Sequence, residues 1–319
     1  MKIAITGANG FVGSTLIRSL QSQDFEPVAL LRRAVDIPDT EVRVIDFSKQ
    51  AEIITALSDI DVLIHNAGMT KALSAKDMLS ANVGLTRQLI EAVNHLKQDI
   101  RFFYISSQAA SGPSGKDLPK SEADSLHPLT TYGKSKAIAE RIIRRDCRKD
   151  YCIIRPSSVY GPGDRDFLEL FKLCYRGFSL HIGKSHRPLN MIYSEELADF
   201  ITTAIINPKS KNEIFFATDT YVYSHHEIVK AISEAMGKKN LAITIPETIA
   251  KGIFSISDFW ARITRRPSIL NLEKFKEITA DAWTADPSKA KELLGWQPES
   301  KLKQQMRETF QWYKENHWL

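Results

Sequence analysis

The chain opens Lys2-Ile-Ala-Ile-Thr6-Gly7-Ala-Asn9-Gly10-Phe11-Val12-Gly13 and continues Ser14-Thr-Leu-Ile-Arg-Ser-Leu20. A short apolar run of β-formers, three glycines at three-residue spacing and a helical stretch predict strand, tight turn and helix. Gly7 ends the strand and lets the chain turn with positive φ. Gly10 removes the side chain that would block a phosphate, and Gly13 lets the new helix lie close on the sheet. Backbone N–H groups and the positive end of the helix dipole then face an anion. The stretch predicts a dinucleotide site built from Gly7, Asn9, Gly10, Phe11, Val12 and Gly13.

The alternation continues downstream. Strands are predicted at 27–31, 42–45, 61–65, 102–105 and 151–154, with helices at 51–57, 82–95 and 132–145. That order argues for an α/β, doubly wound parallel sheet, whose ligands lie at the carboxyl ends of the strands. Those ends read Arg32-Arg33, Asp46, Asn66-Ala67-Gly68, Ser106-Ser107 and Arg155-Pro156. After Gly161-Pro162-Gly163 the regularity weakens, and from Tyr221 onward mostly helices and short links are expected. The expected division is a dinucleotide-binding domain over 1–165 with a return near 190–218. A smaller, mostly helical substrate lobe takes 166–189 and 219–319.

Composition bounds the partners. The 319 residues are 43% hydrophobic and 25% charged, an ordinary globular make-up. The net charge of +5 is scattered. Arg141 to Lys149 reads as a solvated helix face, Arg262 to Arg266 could touch an anionic partner, and nucleic acid is not expected. Cys147, Cys152 and Cys174 lack metal-ligand spacing and fit a reducing compartment. The histidines are scattered, and no metal site is expected. No run long enough to span a membrane exists. A strand beginning at once argues against a signal peptide, so the expected location is the cytoplasm. Ile249, Ile253, Phe254, Ile256, Phe259, Trp260 and Ile263 recur at helical spacing and predict core of the C-terminal lobe. The functional alternative is a pocket wall, or a face resting on a membrane beside Arg262, Arg265 and Arg266. Trp283 is expected in the core.

The second informative stretch is Tyr132-Gly-Lys-Ser-Lys136. Residues four apart share a helix face. A lysine ammonium beside a phenol favours the phenolate, so a tyrosine of ordinary pKa about 10 would exchange a proton closer to neutral pH. The same lysine can donate to ribose hydroxyls, and Ser107 can hold a substrate oxygen.

These residues resemble the extended short-chain dehydrogenase/reductase superfamily, the group that holds NAD-dependent epimerases and dehydratases. The matching pieces are Thr6 to Gly13, Asp46-Phe47, Asn66-Ala-Gly68, Asn82-Val-Gly-Leu-Thr86, Tyr104-Ile-Ser-Ser107, Tyr132-x-x-x-Lys136, Arg155-Pro156 and Val159-Tyr-Gly-Pro162. Two tail pieces, Asp286-Pro-Ser-Lys-Ala290 and Leu294-Gly-Trp-Gln-Pro298, also match. The resemblance implies Tyr132 as general acid/base, Lys136 as its electrostatic partner and ribose ligand, and Ser107 as the orienting hydroxyl. It places Asp46 and Phe47 beside the adenine, and Asn66, Ala67 and Gly68 along the dinucleotide. Pro156 to Ser158 would lie near the nicotinamide. A homodimer paired through the helices that contain 85–93 and 138–143 is expected.

NAD-users of such folds place an acid at the end of the second strand. Arg32 stands there with Arg33, and a guanidinium can bind a 2′-phosphate, so NADP(H) is expected, with NAD the other cofactor. Gln108-Ala-Ala110 after Ser107 lacks the Asp-Glu pair of dehydratases. Asn190-x-x-Tyr193 is similar to the reductase branch, and Arg187 fits an epimerase poorly. The reading is hydride transfer between NADP(H) and a carbonyl or secondary alcohol of a small-molecule substrate. The alternatives are a nucleotide-sugar epimerase that retains its cofactor and a non-catalytic cofactor-sensing protein.

Overall fold

The computed structural model describes residues 1–183, 187–264, 268 and 270–319, with nothing of the Arg262 side chain. Arg265 and Arg266, named above, lie outside the described residues, as do His186 and Ile269. The first half runs β1 (Lys2–Thr6), α1 (Phe11–Gln21), β2 (Glu26–Leu31), β3 (Glu41–Val44), α2 (Gln50–Ala56), β4 (Val62–His65), α3 (Ala75–Leu79), a π-turn (Ser80–Gly84) and α4 (Leu85–His95). Then come β5 (Arg101–Ile105), α5 (Gln108–Ser111), α6 (Thr131–Asp146), β6 (Tyr151–Pro156), β7 (Ser158–Tyr160), α7 (Arg165–Tyr175), β8 (Phe178–Ile182), β9 (Met191–Tyr193), α8 (Ser194–Ile206) and β10 (Glu213–Ala217). The chain ends with α9 (His225–Met236), β11 (Leu241–Ile245), α10 (Glu247–Thr264), α11 (Leu272–Thr279), α12 (Ser288–Leu294) and α13 (Leu302–Glu315).

Seven parallel strands form one sheet in the order β10-β6-β5-β4-β1-β2-β3. The strand order reverses between β1 and β4, which opens a crevice above their carboxyl ends. β1 is buried on both sides, so its residues read as one apolar run rather than an alternation. One face is packed by α1, α8 and α12 through Leu16, Leu20, Phe200, Ile201 and Leu294. The other carries α2, α4 and α6 through Ile53, Leu89, Val93 and Ile143. A third cluster ties α7 and α9 to α13 through Phe171, Ile232 and Tyr313.

Two differences from expectation stand out. The helix expected from Asn82 begins at Leu85, because the chain enters it through α3 and a π-turn that bury Asn82. The apolar residues of α10 are not core: only Ala250, Phe254 and Ala261 are buried, while the other six named above are exposed. Burial is set by the neighbour available, and α11 covers one narrow stripe, with Phe254 and Phe275 centroids 5.6 Å apart.

Candidate active site

The glycine turn after β1 leaves no room for side chains. Gly7 has φ of +68°, and a Cβ there would come within 2.9 Å of Ala67 backbone atoms. A Cβ on Gly13 would lie 2.1 Å from the Gly7 carbonyl oxygen. Gly10 differs: beyond that same oxygen at 3.2 Å, an added Cβ meets nothing within 4 Å. Helix α1 starts on Gly10 with no side-chain cap and no acid in its first turn. Its first N–H groups have no partner inside the helix. A cradle of bare backbone donors fits the pyrophosphate of a dinucleotide, with Asn9 exposed and Phe11 and Val12 half-buried at its rim.

A buried polar chain braces this turn. The Ala67 N–H donates to Thr6 Oγ1 at 3.0 Å, and Thr6 Oγ1 lies 3.0 Å from His65 Nδ1. His65 Nε2 lies 3.0 Å from Thr86 Oγ1, which donates to the Asn82 carbonyl at 2.7 Å. Asn82 Nδ2 donates to Ser135 Oγ of α6 at 2.8 Å, and its Oδ1 accepts from Met69 N. Asn66 Nδ2 donates to the Gly7 carbonyl at 3.2 Å. His65, Asn82 and Thr86 had no assigned part in the sequence reading. The available signals were a histidine closing an apolar strand and an Asn/Thr pair at i,i+4.

Burial, with the Lys136 charge, pushes His65 down to about 3, so it is neutral in the folded chain. An unfolded histidine near 6.5 binds a proton that folded His65 refuses. The contribution is therefore fully present above about pH 6.5 and is lost as pH falls, by up to about 1.4 kcal/mol per pH unit. Urea unfolding at pH 7 and pH 5 is expected to cost the parent about 2 kcal/mol more than His65→Asn. Equal losses would remove His65 as the cause.

Ser107 follows β5 and caps α5, its Oγ accepting from Ala109 N at 3.1 Å. Gly133 lets α5 touch the first turn of α6, since a Cβ there would fall 2.3 Å from the Ala109 carbonyl oxygen. This contact brings Ser107 beside Tyr132, near enough for its hydroxyl to favour the phenolate. Lys136, one turn on, is buried. Its Nζ donates to the Ile105 carbonyl at 2.7 Å and sits 6.0 Å from the Tyr132 ring centroid and 4.8 Å from that of Tyr104. A Cβ on Gly68 would lie 3.2 Å from the same Nζ, so the β4 end, the β5 end and α6 converge there.

The electrostatics correct one expectation. Tyr132 is not lowered toward neutral pH: burial pushes it up to about 12, with the Ser107 hydroxyl opposing. Burial also pushes Lys136 down to about 8, with Glu140 opposing. In the protein alone the ammonium is turned to the Ile105 carbonyl, and desolvation of the phenol outweighs its pull.

Glu140 lies one turn beyond Lys136 and pairs with Arg155 of β6, Nε to Oε1 at 3.0 Å and Nη2 to Oε2 at 2.7 Å. The side chains are 1% and 2% exposed. Ser106 Oγ donates to Glu140 Oε1 at 2.5 Å. The pair thus ties the β5 end, the β6 end and α6 together. From the C-terminal region, Glu273 accepts from Thr131 N at 2.9 Å and from Thr131 Oγ1 at 2.6 Å, on the first turn of α6. Neither contact was anticipated. An acid four residues after the lysine, on a buried helix face, was the available signal for Glu140.

The remaining candidates spread along the strand ends. Arg32 and Arg33 are exposed just past β2, one strand over from Gly7, and form no ion pair among the described residues. The Asp46 carboxylate is taken by Ser48, whose N and Oγ donate at 2.9 and 2.7 Å, while Phe47 packs on the core. Pro156 is buried at the end of β6, and Ser158 is exposed on β7. Arg187 is engaged by Glu247 at 2.5 Å. Asn190 is a structural staple, with Nδ2 donating to the Tyr221 carbonyl and Oδ1 accepting from Ala285 N. Trp283 is half-buried. His181, scattered from His225 in sequence, meets it with Nδ1 atoms 3.3 Å apart. No group among the described residues could hold a metal ion. No helix of the described residues is long and apolar enough to cross a membrane.

Comparisons with known proteins agree with this geometry. A profile of the NAD dependent epimerase/dehydratase family matches residues 3–216. A ceramide reductase of Caulobacter vibrioides is 29% identical, over 99% of this chain and 96% of that protein. A UDP-glucose 4-epimerase of Vibrio cholerae is 28% identical, over 97% and 94%. The crystal structure of a UDP-glucuronic acid 4-epimerase from Bacillus cereus in complex with NAD superposes with a TM-score of 0.80 at 21% identity, covering 99% of this chain and all of that one. With the glycine cradle at the switch point and the Ser107, Tyr132 and Lys136 side chains gathered beside it, the chain belongs to the NAD dependent epimerase/dehydratase family and is an enzyme of the extended short-chain dehydrogenase/reductase type.

Proposed function

We propose that the protein reversibly transfers a hydride between NADP(H) and a carbonyl or secondary alcohol. The observation that carries the choice of cofactor is the β2 end. Two exposed guanidiniums stand there, free of any ion pair among the described residues, where an NAD-user would place a carboxylate. An exchangeable NADP(H) suits net redox chemistry better than an epimerase cycle that keeps its cofactor. Arg187, whose spacing already fits an epimerase poorly, is engaged by Glu247. The ceramide reductase likeness supports a lipid-like ketone as the substrate class.

When bound, the dinucleotide supplies or accepts the hydride. Gly7, Asn9, Gly10, Phe11, Val12 and Gly13 hold its pyrophosphate, Arg32 its 2′-phosphate, and Asp46 and Phe47 border its adenine. Asn66, Ala67 and Gly68 line its length, and Pro156 and Ser158 border the nicotinamide end. Ser107 Oγ orients the substrate oxygen, and Tyr132 Oη gives up or takes its proton. Lys136 is largely an ammonium below about pH 8 and stabilises the phenolate, turning from the Ile105 carbonyl to the ribose hydroxyls. Segments 166–189 and 219–319 form the substrate lobe. A homodimer through α4 and α6 would use polar outer residues such as Arg87 and Arg141, since Leu89, Val93 and Ile143 are buried within the chain.

Fluorescence titration is expected to give NADPH about 10–100-fold tighter binding than NADH, and Arg32→Ser is expected to abolish most of that gap. Equal affinities, or tighter NADH, would refute the NADP(H) assignment.

A further inference from the structure

Helix α10 has two apolar faces and only one of them is covered. Ala250, Phe254 and Ala261 point inward. Ile249, Ile253, Ile256, Phe259, Trp260 and Ile263 are 44–62% exposed. At roughly 100° per residue these six fall within an arc of about 120°. Lys251 and Asp258 fall on the opposite side. A helix with a broad apolar stripe, aromatic residues toward one end and a separate polar side has the make-up of one that lies in a membrane interface.

We propose that the outer face of α10 seats the protein on an anionic lipid bilayer, with the helix parallel to the surface. Charge selects this occupant. Residues 238–281 contain eight Lys and Arg against five Asp and Glu, a net +3 of the chain's +5. Of those acids Glu277 pairs with Lys274 inside the segment at 3.2 Å and Glu247 with Arg187 outside it at 2.5 Å, and Arg262, Arg265 and Arg266 fall within and just after the stripe in sequence. A second copy pressed on the stripe would bring the same positive excess to the same place. Anionic headgroups supply the counter-charge, and acyl chains receive the stripe. Docking places the helix that packs on α11, and hence the Glu273 contact to α6, at the membrane surface. The proposal goes beyond the redox reading and stands whichever cofactor or hydride acceptor is used.

Flotation of the full chain tests it, with vesicles of phosphatidylcholine alone and of phosphatidylcholine and phosphatidylglycerol in equal parts. The chain is expected to float with the mixed vesicles, more weakly as salt is raised, and poorly with phosphatidylcholine alone. Ile256→Asp and Trp260→Glu are each expected to weaken binding about tenfold or more, with unchanged circular dichroism and cofactor affinity. Val44→Asp, on the exposed edge strand β3, is expected to float like the parent. Failure of the parent to float with mixed vesicles, or flotation of the two α10 variants equal to it, would overturn the proposal. So would a dimer that Trp260→Glu dissociates without any vesicle binding, which would assign the stripe to a second copy.

Discussion

Tyr132→Phe is expected to lower turnover by about 10²–10⁴-fold while leaving NADPH affinity within about twofold of the parent. The substitution removes one oxygen from a ring already held by the α5–α6 contact at Gly133, so the site keeps its shape. What it removes is the hydroxyl beside Ser107 to which the proposed reaction gives the proton transfer. The phenol at about 12 is a reluctant acid in the protein alone. On the proposed mechanism its use depends on the Lys136 ammonium leaving the Ile105 carbonyl. Single-turnover rates with NADPH, set beside a fluorescence titration of the same variant, separate chemistry from binding. A variant that turns over like the parent would remove Tyr132 from the reaction, and the cofactor-sensing alternative predicts that outcome.

The largest effect on stability is expected at Arg155. Arg155→Met leaves the buried Glu140 carboxylate with the Ser106 hydroxyl as its one hydrogen-bond partner among the described residues, and is expected to cost about 3–5 kcal/mol. Removing both charges together, as Arg155→Met with Glu140→Leu, is expected to cost much less, because desolvation of an uncompensated ion is the dominant penalty. Urea unfolding of the parent, the single and the double variant measures this directly. If the double variant is as unstable as the single, packing of the methylene stems rather than charge sets the cost. Arg155 Nη1 has no hydrogen-bond partner among the described residues, so the guanidinium is held by two of its three nitrogens and by the face of Phe216, 5.5 Å away.

Much of this was legible in the sequence because it is written in short, local patterns. Gly7, Gly10 and Gly13 each answer a steric requirement within a few residues, and the structure shows the collisions that any Cβ at Gly7 or Gly13 would cause. The alternation of apolar strands with helices gave the parallel sheet. The Tyr132–Lys136 spacing gave a shared helix face. What stayed hidden depends on partners far along the chain. His65 meets Thr86 across 21 residues, Thr131 meets Glu273 across 142, and no local pattern announces either. The tyrosine shift was misjudged because spacing shows that a lysine is near, but not that a backbone carbonyl claims its ammonium or how dry the phenol is. Helix α10 was misjudged for a related reason. Helical spacing shows that a face is apolar, but whether the fold supplies something to cover it is a tertiary fact.

The most direct test of the central claim is cofactor bookkeeping during turnover, with the purified full chain, NADPH and a panel of long-chain ketones beside UDP-glucose. The predicted result is one NADPH consumed for each ketone converted to a secondary alcohol, with the Tyr132→Phe variant inactive. Conversion of UDP-glucose to its epimer with no net change in cofactor, and no NADPH consumed with any ketone, would contradict it.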